Sequence, residues 1–188
     1  MAEVVIDIAM SLDGYVAGPN VTRENPMGEN GGMRIFGWGA GDRQILLEAQ
    51  EDKIGAMISG RRTYDVTNGW NGTHDLDRGI PVFVMTSAAP AEVPEGNTPF
   101  TFVTDGVESA VRQAKEAAGD KFVYVIGGGD VIQQILNARL ADELRVHISS
   151  VVVGGGSSML ASLDPDLQLE QTAVTSGPGV THLTYRVH

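Results

Sequence analysis

Three short stretches of this chain combine residue types suited to holding a phosphorylated ligand. In Ile126-Gly127-Gly128-Gly129-Asp130-Val131-Ile132, an apolar run from residue 123 stops at three glycines. It resumes with Val131, Ile132, Ile135 and Leu136 at helical spacing, so the order is strand, tight turn, helix. Residues without side chains admit a ligand to the backbone, and the free N–H groups of a helix start, with their dipole, attract phosphate. Glycines at such a switch also simply make a sharp turn, and local sequence leaves both readings open. The second stretch, Gly60-Arg61-Arg62-Thr63, places two cations at another strand-to-helix switch. In a chain with 13 Lys and Arg and a formal net charge of -11, adjacent arginines at the carboxyl end of a strand point to an anion there, a solvated helix surface being the alternative. The third is Thr86-Ser87, whose hydroxyls either satisfy nearby backbone or face the same ligand edge.

Two common nucleotide motifs are excluded. Gly127 and Gly129 begin a G-x-G-x-x-G whose last position is Ile132, and no G-K-[ST] occurs anywhere. The absence of cysteine removes disulfides and thiolate metal sites, and His74, His147, His182 and His188 lack metal-ligand spacing, so they are read as structural or solvated and no metal is expected. The acidic balance argues against nucleic acid and anionic membranes as partners. Asp13 and Asp42 are the acids nominated for proton transfer.

These stretches need a scaffold. Residues 3–10 form a first strand, followed by the turn Ser11-Leu12-Asp13-Gly14 and a short extended segment. Residues 19–41, rich in Gly, Asn and Pro yet carrying Phe36 and Trp38, make a long loop expected to act as a lid or pocket wall. Asp42 then opens a helix with Ile45, Leu46 and Ala49 inward, Asp42 itself being placed at or near its N-cap. Strands follow at 54–59, 80–85, 100–104 and 142–153, with helices at 106–118 and after Gly129, and a final hairpin at 167–175 and 180–187. The expectation is an α/β fold in one domain over residues 1–188, with a mostly parallel central sheet flanked by helices and an antiparallel C-terminal hairpin. At 188 residues, 42% hydrophobic and 20% charged, the chain has the balance of a soluble globular protein. No apolar run approaches the ~20 residues of a membrane span. The N-terminus shows no signal-peptide pattern, and a cytoplasmic location is expected.

Set side by side, MSLDGYVAG, GRRTY, PVFVMTS, VYVIGGGDVI and DELRVHISSVVVGGG make the whole chain resemble the dihydrofolate-reductase-like superfamily. It is most similar to the branch containing the reductase domain of the bifunctional deaminase-reductase of riboflavin biosynthesis. The resemblance implies an NADPH-dependent oxidoreductase acting on a small heterocyclic or carbonyl-type substrate, akin to 5-amino-6-(5-phosphoribosylamino)uracil reductase. A dihydrofolate reductase and a non-catalytic NADPH-binding module are the alternatives. It implies Arg61 at the adenosine 2′-phosphate, Arg62 and Thr63 with Gly60 at the pyrophosphate, and Thr86 and Ser87 at the adenosine end. The run from Ile126 to Ile132 would lie at the pyrophosphate with a cis Gly127–Gly128 bond, and Ala9 and Val16 would hold the nicotinamide carboxamide. On the substrate side it implies Ser11, Asp13, Trp38 and Asp42. Val146 aligns with the threonine of dihydrofolate reductase, and the folate-gripping arginine falls near Ile80. The deaminase half, with its H-x-E and P-C-x-x-C, is absent. The resemblance further implies a homodimer joined through the late strands.

Overall fold

The structure is a computed structural model describing residues 2–38, 51–74 and 78–188. Its strands are β1 (Val4–Ser11), β2 (Tyr15–Ala17), β3 (Ile54–Gly60), β4 (Val82–Met85), β5 (Phe100–Val103), β6 (Phe122–Val125), β7 (Glu143–Ser149), β8 (Ser157–Ser158), β9 (Leu169–Gly177) and β10 (Val180–Val187). The α-helices among the described residues are α1 (Arg61–Val66), α2 (Val107–Ala118) and α3 (Gly129–Asn137). The helix predicted from Asp42 lies outside the described residues.

Eight strands form one sheet in the order β5-β4-β3-β6-β1-β7-β10-β9. All neighbours from β5 to β7 are parallel, whereas β10 runs antiparallel to β7 and β9 antiparallel to β10. This is the expected mostly parallel α/β sheet with an antiparallel hairpin at its C-terminal edge. The strands alternate in side-chain direction, so each face has its own core. Val4, Ile6 and Met10 join Val123, Val125, Leu144 and Val146 beneath Ala110, Ala114, Ile132, Ile135 and Leu136 of α2 and α3. On the opposite face Met57, Val82, Val84 and Tyr124 pack with Tyr64, while Ala9 meets Ile35, Trp38, Val153 and Val180 in a third cluster.

Several boundaries differ from expectation for tertiary reasons. The strand expected over 142–153 ends at Ser149, because the chain is drawn off the sheet by the turn after β1: Leu12 N–H donates to Val151 O at 2.8 Å, and Asp13 accepts from Val153 and Gly154. The freed chain returns at β8, which pairs antiparallel with β2, a two-stranded ladder that sequence did not suggest. The strand expected from residue 80 starts at Val82, and the last hairpin turns more tightly than expected, pairing Gly177 with Val180 around Gly179 at φ 76°.

The divergence of β1 from β6 positions the site. The two strands pair only from Val4 to Ile6 against Val123 to Val125, while β1 stays paired with β7 as far as Ser11. Past Ile6 the sheet therefore opens at its carboxyl edge, where parallel α/β sheets bind ligands.

Candidate active site

A cavity of about 590 Å³ occupies this opening. Ile8 of β1 and Ile126 at the end of β6 stand on either side of it, and Val16 and Ala17 of β2 form another wall. The long loop supplies Val21, Pro26, Met27 and Phe36, so it serves as a pocket wall as its apolar content suggested.

The two glycine turns meet at the centre. Gly60 N–H donates to Gly127 O at 2.9 Å, which sets the starts of α1 and α3 side by side. Neither helix has a side-chain cap, its cap positions being Gly60 and Gly128, so the first N–H groups of both helices lack the usual side-chain acceptor. Gly127 has φ 116°, a conformation few side chains adopt, and the Gly127–Gly128 bond is cis as the resemblance implied. A Cβ on Gly128 would lie 3.3 Å from Thr63 Oγ1, so the missing side chain lets the two turns abut. Gly129 and Asp130 line the cavity in the first turn of α3, Asp130 complementing the helix dipole, with Val131 behind them.

Positive charge sits on the α1 side. Arg61 Nε donates to Asp65 Oδ1 at 2.8 Å, and its Nη1 donates to Ala88 O at 2.6 Å and lies 3.3 Å from Thr86 Oγ1. These bonds hold the guanidinium flat across the end of β4 and leave both Nη2 hydrogens without a partner among the described residues. Arg62 is exposed on the cavity wall and makes no hydrogen bond or ion pair among the described residues. Thr86 hydroxyl donates to Ala88 O at 2.8 Å, so it satisfies local backbone and braces Arg61, and Ser87 lines the cavity beside it. Uncapped N–H groups and two arginines in one cleft are a donor set for a diphosphate with a further phosphate near Arg61, which fits a phosphorylated dinucleotide.

Two of the residues expected at the cofactor turn their side chains away from this cavity. Ile132 is fully buried in the main core, since the helical period turns it away from the cleft that Val131 borders. Ala9, expected to act through its backbone, packs its methyl group against Ile35 and Trp38 on the face opposite Ile8, and on β1 it is Ile8 whose side chain borders the cavity. The turn after β1 is arranged differently from expectation. Asp13 Oδ2 accepts from Gly154 N–H at 2.7 Å and Oδ1 from Val153 N–H at 3.2 Å. A hydrogen bond with the Ser11 side chain, and then these backbone donors, hold its carboxyl below the usual range, so it stays ionised near neutrality and is not suited to donate a proton. Ser11 is fully buried and accepts from Tyr15 N–H at 3.0 Å. Ser11 and Asp13 thus tie the turn to the 151–154 loop, and neither borders the cavity. Asp42 lies outside the described residues. Val146 faces the α2/α3 core, and the polar group on the other face at that point is His147.

His147 belongs to a constellation the sequence reading missed. Its Nε2 is 2.9 Å from Asp7 Oδ1 and its Nδ1 2.7 Å from His182 Nδ1. Trp38 covers both rings, with centroids 5.5 and 5.2 Å away. Positions 7, 147 and 182 are brought together only by the β1–β7–β10 register, so no linear spacing could have revealed them.

A sheet with this strand order, open between its two central strands and bordered by paired glycine turns, defines a reductase-type α/β fold. The family model for the RibD C-terminal domain matches residues 2–183, and the chain belongs to that family. A putative riboflavin biosynthesis protein from Shewanella sp. PV-4 superposes with a TM-score of 0.74 at 24% identity, covering 100% of this chain and 99% of that one. A diaminohydroxyphosphoribosylaminopyrimidine deaminase/5-amino-6-(5-phosphoribosylamino)uracil reductase from Thermotoga maritima gives 0.66 at 18% identity, covering 100% of this chain and 57% of that one. Dihydrofolate reductase from Enterococcus faecalis, in complex with NADP(H), gives 0.67 at 15% identity over 99% and 96% of the two chains.

Proposed function

We propose that this protein is an NADPH-dependent reductase that delivers hydride to a small heterocyclic or carbonyl-type acceptor. The observation that carries the reading is the junction of the two uncapped helix starts through Gly60 N–H and Gly127 O, with Arg61 and Arg62 beside it and the β1/β6 opening beyond. Membership of the RibD C-terminal domain family and likeness to an NADP(H)-bound reductase support it. When bound, the dinucleotide supplies a hydride at its nicotinamide ring. The chain's part is to bind and orient. Arg61, braced by Asp65 and Ala88, presents Nη2 to the 2′-phosphate, and Arg62 and Thr63 with the α1 and α3 starts hold the pyrophosphate. Ile8, Val16, Phe36 and Ile126 wall the nicotinamide end and exclude water from it. The protein acts in the cytoplasm on this small heterocyclic or carbonyl-type substrate, as a homodimer.

The test is calorimetric binding of NADPH and NADH to the wild type and to Arg61→Ala, followed by NADPH oxidation with 5-amino-6-(5-phosphoribosylamino)uracil derivatives and dihydrofolate. Wild type is expected to favour NADPH. Loss of charge-assisted bonds worth ~1.5–3 kcal/mol should weaken NADPH about 10- to 100-fold in Arg61→Ala and leave NADH nearly unchanged. Absence of NADPH binding at submillimolar concentration would overturn the reading. Binding without turnover of any acceptor would instead identify a nucleotide-binding module.

A further inference from the structure

The two arginines at the start of α1 are held in opposite ways. Arg62 is exposed and has no partner among the described residues, whereas the planar guanidinium of Arg61 is fixed at two points by two different elements. On α1 itself, Asp65 Oδ1 accepts from Arg61 Nε at 2.8 Å. After β4, Ala88 O accepts from Nη1 at 2.6 Å, with Thr86 Oγ1 3.3 Å from the same nitrogen. Ala88 is in turn held by Thr86, whose hydroxyl donates to its oxygen at 2.8 Å and accepts from its N–H at 3.3 Å. A single anchor leaves a planar group free to swing about that contact, while two anchors on separate elements define its plane and leave Nη2 for a ligand.

Asp65 is not among the residues that line the cavity, and its side chain is 49% exposed, so it acts on a ligand only through Arg61. For folding, an exposed i,i+4 pair of this kind contributes little. For binding, two effects of opposite sign meet at this carboxylate. Its charge partly neutralises the arginine and so disfavours an anion beside it. Its position favours an anion there, because an arginine already held in place has less rotamer freedom to lose when the ligand arrives. Solvent and salt screen the first effect at an exposed site and leave the second untouched, so position outweighs charge. The consequence falls on one dinucleotide more than the other. A phosphate dianion draws its advantage from charge-assisted bonds that depend on the orientation of the donor fork, and a hydroxyl in its place makes little such demand.

Resting on the reductase reading, we infer that Asp65 is a positioning residue that sets the preference for NADPH over NADH: by accepting from Nε it holds Arg61, between α1 and the end of β4, with Nη2 left for the 2′-phosphate. The arginines thereby divide the work. Arg61, held at two points, reads the group in which the two dinucleotides differ. Arg62, held at none, adds charge towards the pyrophosphate that both share and carries no preference.

The experiment is calorimetric titration of NADPH and NADH into the wild type, Asp65→Ala, Asp65→Asn and Arg62→Ala, with the melting temperature of each variant read alongside. Asp65→Ala is expected to bind NADPH about 3- to 10-fold more weakly and NADH nearly as before. Alanine is the better helix former, so such a loss does not come from a weakened α1. Asp65→Asn keeps an oxygen acceptor for Nε and removes the charge, and should therefore hold NADPH at least as tightly as the wild type, with the preference intact. Arg62→Ala should weaken both nucleotides by the same factor. Tighter NADPH binding in Asp65→Ala would mean that charge outweighs position, and equal weakening of both nucleotides there would mean a merely structural role. Either result, or an Asp65→Asn variant as impaired as Asp65→Ala, would overturn the positioning role while leaving the reductase reading intact. Failure of the wild type to bind either nucleotide would overturn both.

Discussion

Asp13 shows how one carboxylate is assigned by its partners and not by its type. A turn acid beside a reductase-like strand invites a role in proton transfer, yet its oxygens are taken by Val153 and Gly154 N–H, and Ser11 binds it as well. Because these contacts lower its pKa in the folded state below the usual 3.8, their stabilisation is fully present above the unfolded value and is lost as pH falls through the folded one. Asp13→Ala should therefore melt below wild type at pH 7, and the gap should close as pH is taken below about 3.8. Thermal unfolding from pH 7 to pH 2.5 reads this directly. A gap that stays constant over that range would mean the carboxylate charge is not what anchors the loop. Activity is expected to survive the substitution better than stability does, since Asp13 does not border the cavity.

At the scale of elements, the glycine turns are where sequence and structure agree best, and also where one glycine has a purpose that sequence could not show. Gly128 and Gly129 both suggest room for phosphate. A Cβ on Gly128 would meet only the Thr63 hydroxyl at 3.3 Å, a side chain able to give way, whereas on Gly129 it would lie 2.7 Å from the backbone oxygen of Ser158. Gly129 is thus the point at which the small β2/β8 sheet docks on α3, a contact reinforced by Gln133 Nε2 donating to the same oxygen at 2.8 Å. Gly129→Ala should lower stability by ~1–3 kcal/mol in chemical denaturation, as overpacking against backbone does, and weaken NADPH binding as well. Gly128→Ala should cost clearly less stability. Equal costs would refute the docking role. The strands and both strand-to-helix turns were legible because each is written in contiguous residues: an apolar run, a glycine, a helical period. The β2/β8 ladder was not, since two residues carry no periodicity and its partner lies far away in sequence. The Asp7–His147–His182 chain was invisible for the same reason: Val146, aligned with a threonine of dihydrofolate reductase, faces the core, and the polar His147 next to it lies on the other face, as adjacent strand residues do.

At the scale of the molecule, the sheet ends very differently on its two sides. β5 is a four-residue edge, but β9 offers nine residues, eight of them exposed, and displays Leu169 at 39% and Val174 at 48% exposure. A long strand with an unpaired edge and apolar side chains invites pairing with another chain, and folded proteins ordinarily shield such edges with charge, proline or a covering element. On β9 the charge is confined to one end, where Glu170 pairs with Arg186 at 2.7 Å, and the stretch from Thr172 to Gly177 has none. A second copy of the chain is the natural cover for that stretch, so the protein is expected to sediment as a dimer at micromolar concentration. Val174→Lys should shift it towards monomer by placing a charge in the middle of the edge. The cavity is bordered by β1, β3, β4 and the turn after β6, with β7 and β10 lying between it and β9. Nucleotide affinity in the monomeric variant should therefore stay within about twofold of wild type, since loss of a separate interface perturbs distant sites little. A wild-type protein that remains monomeric under those conditions would show that the exposed edge of β9 is not an interface between copies. A parallel loss of NADPH binding in Val174→Lys would show instead that the dimer helps to build the site.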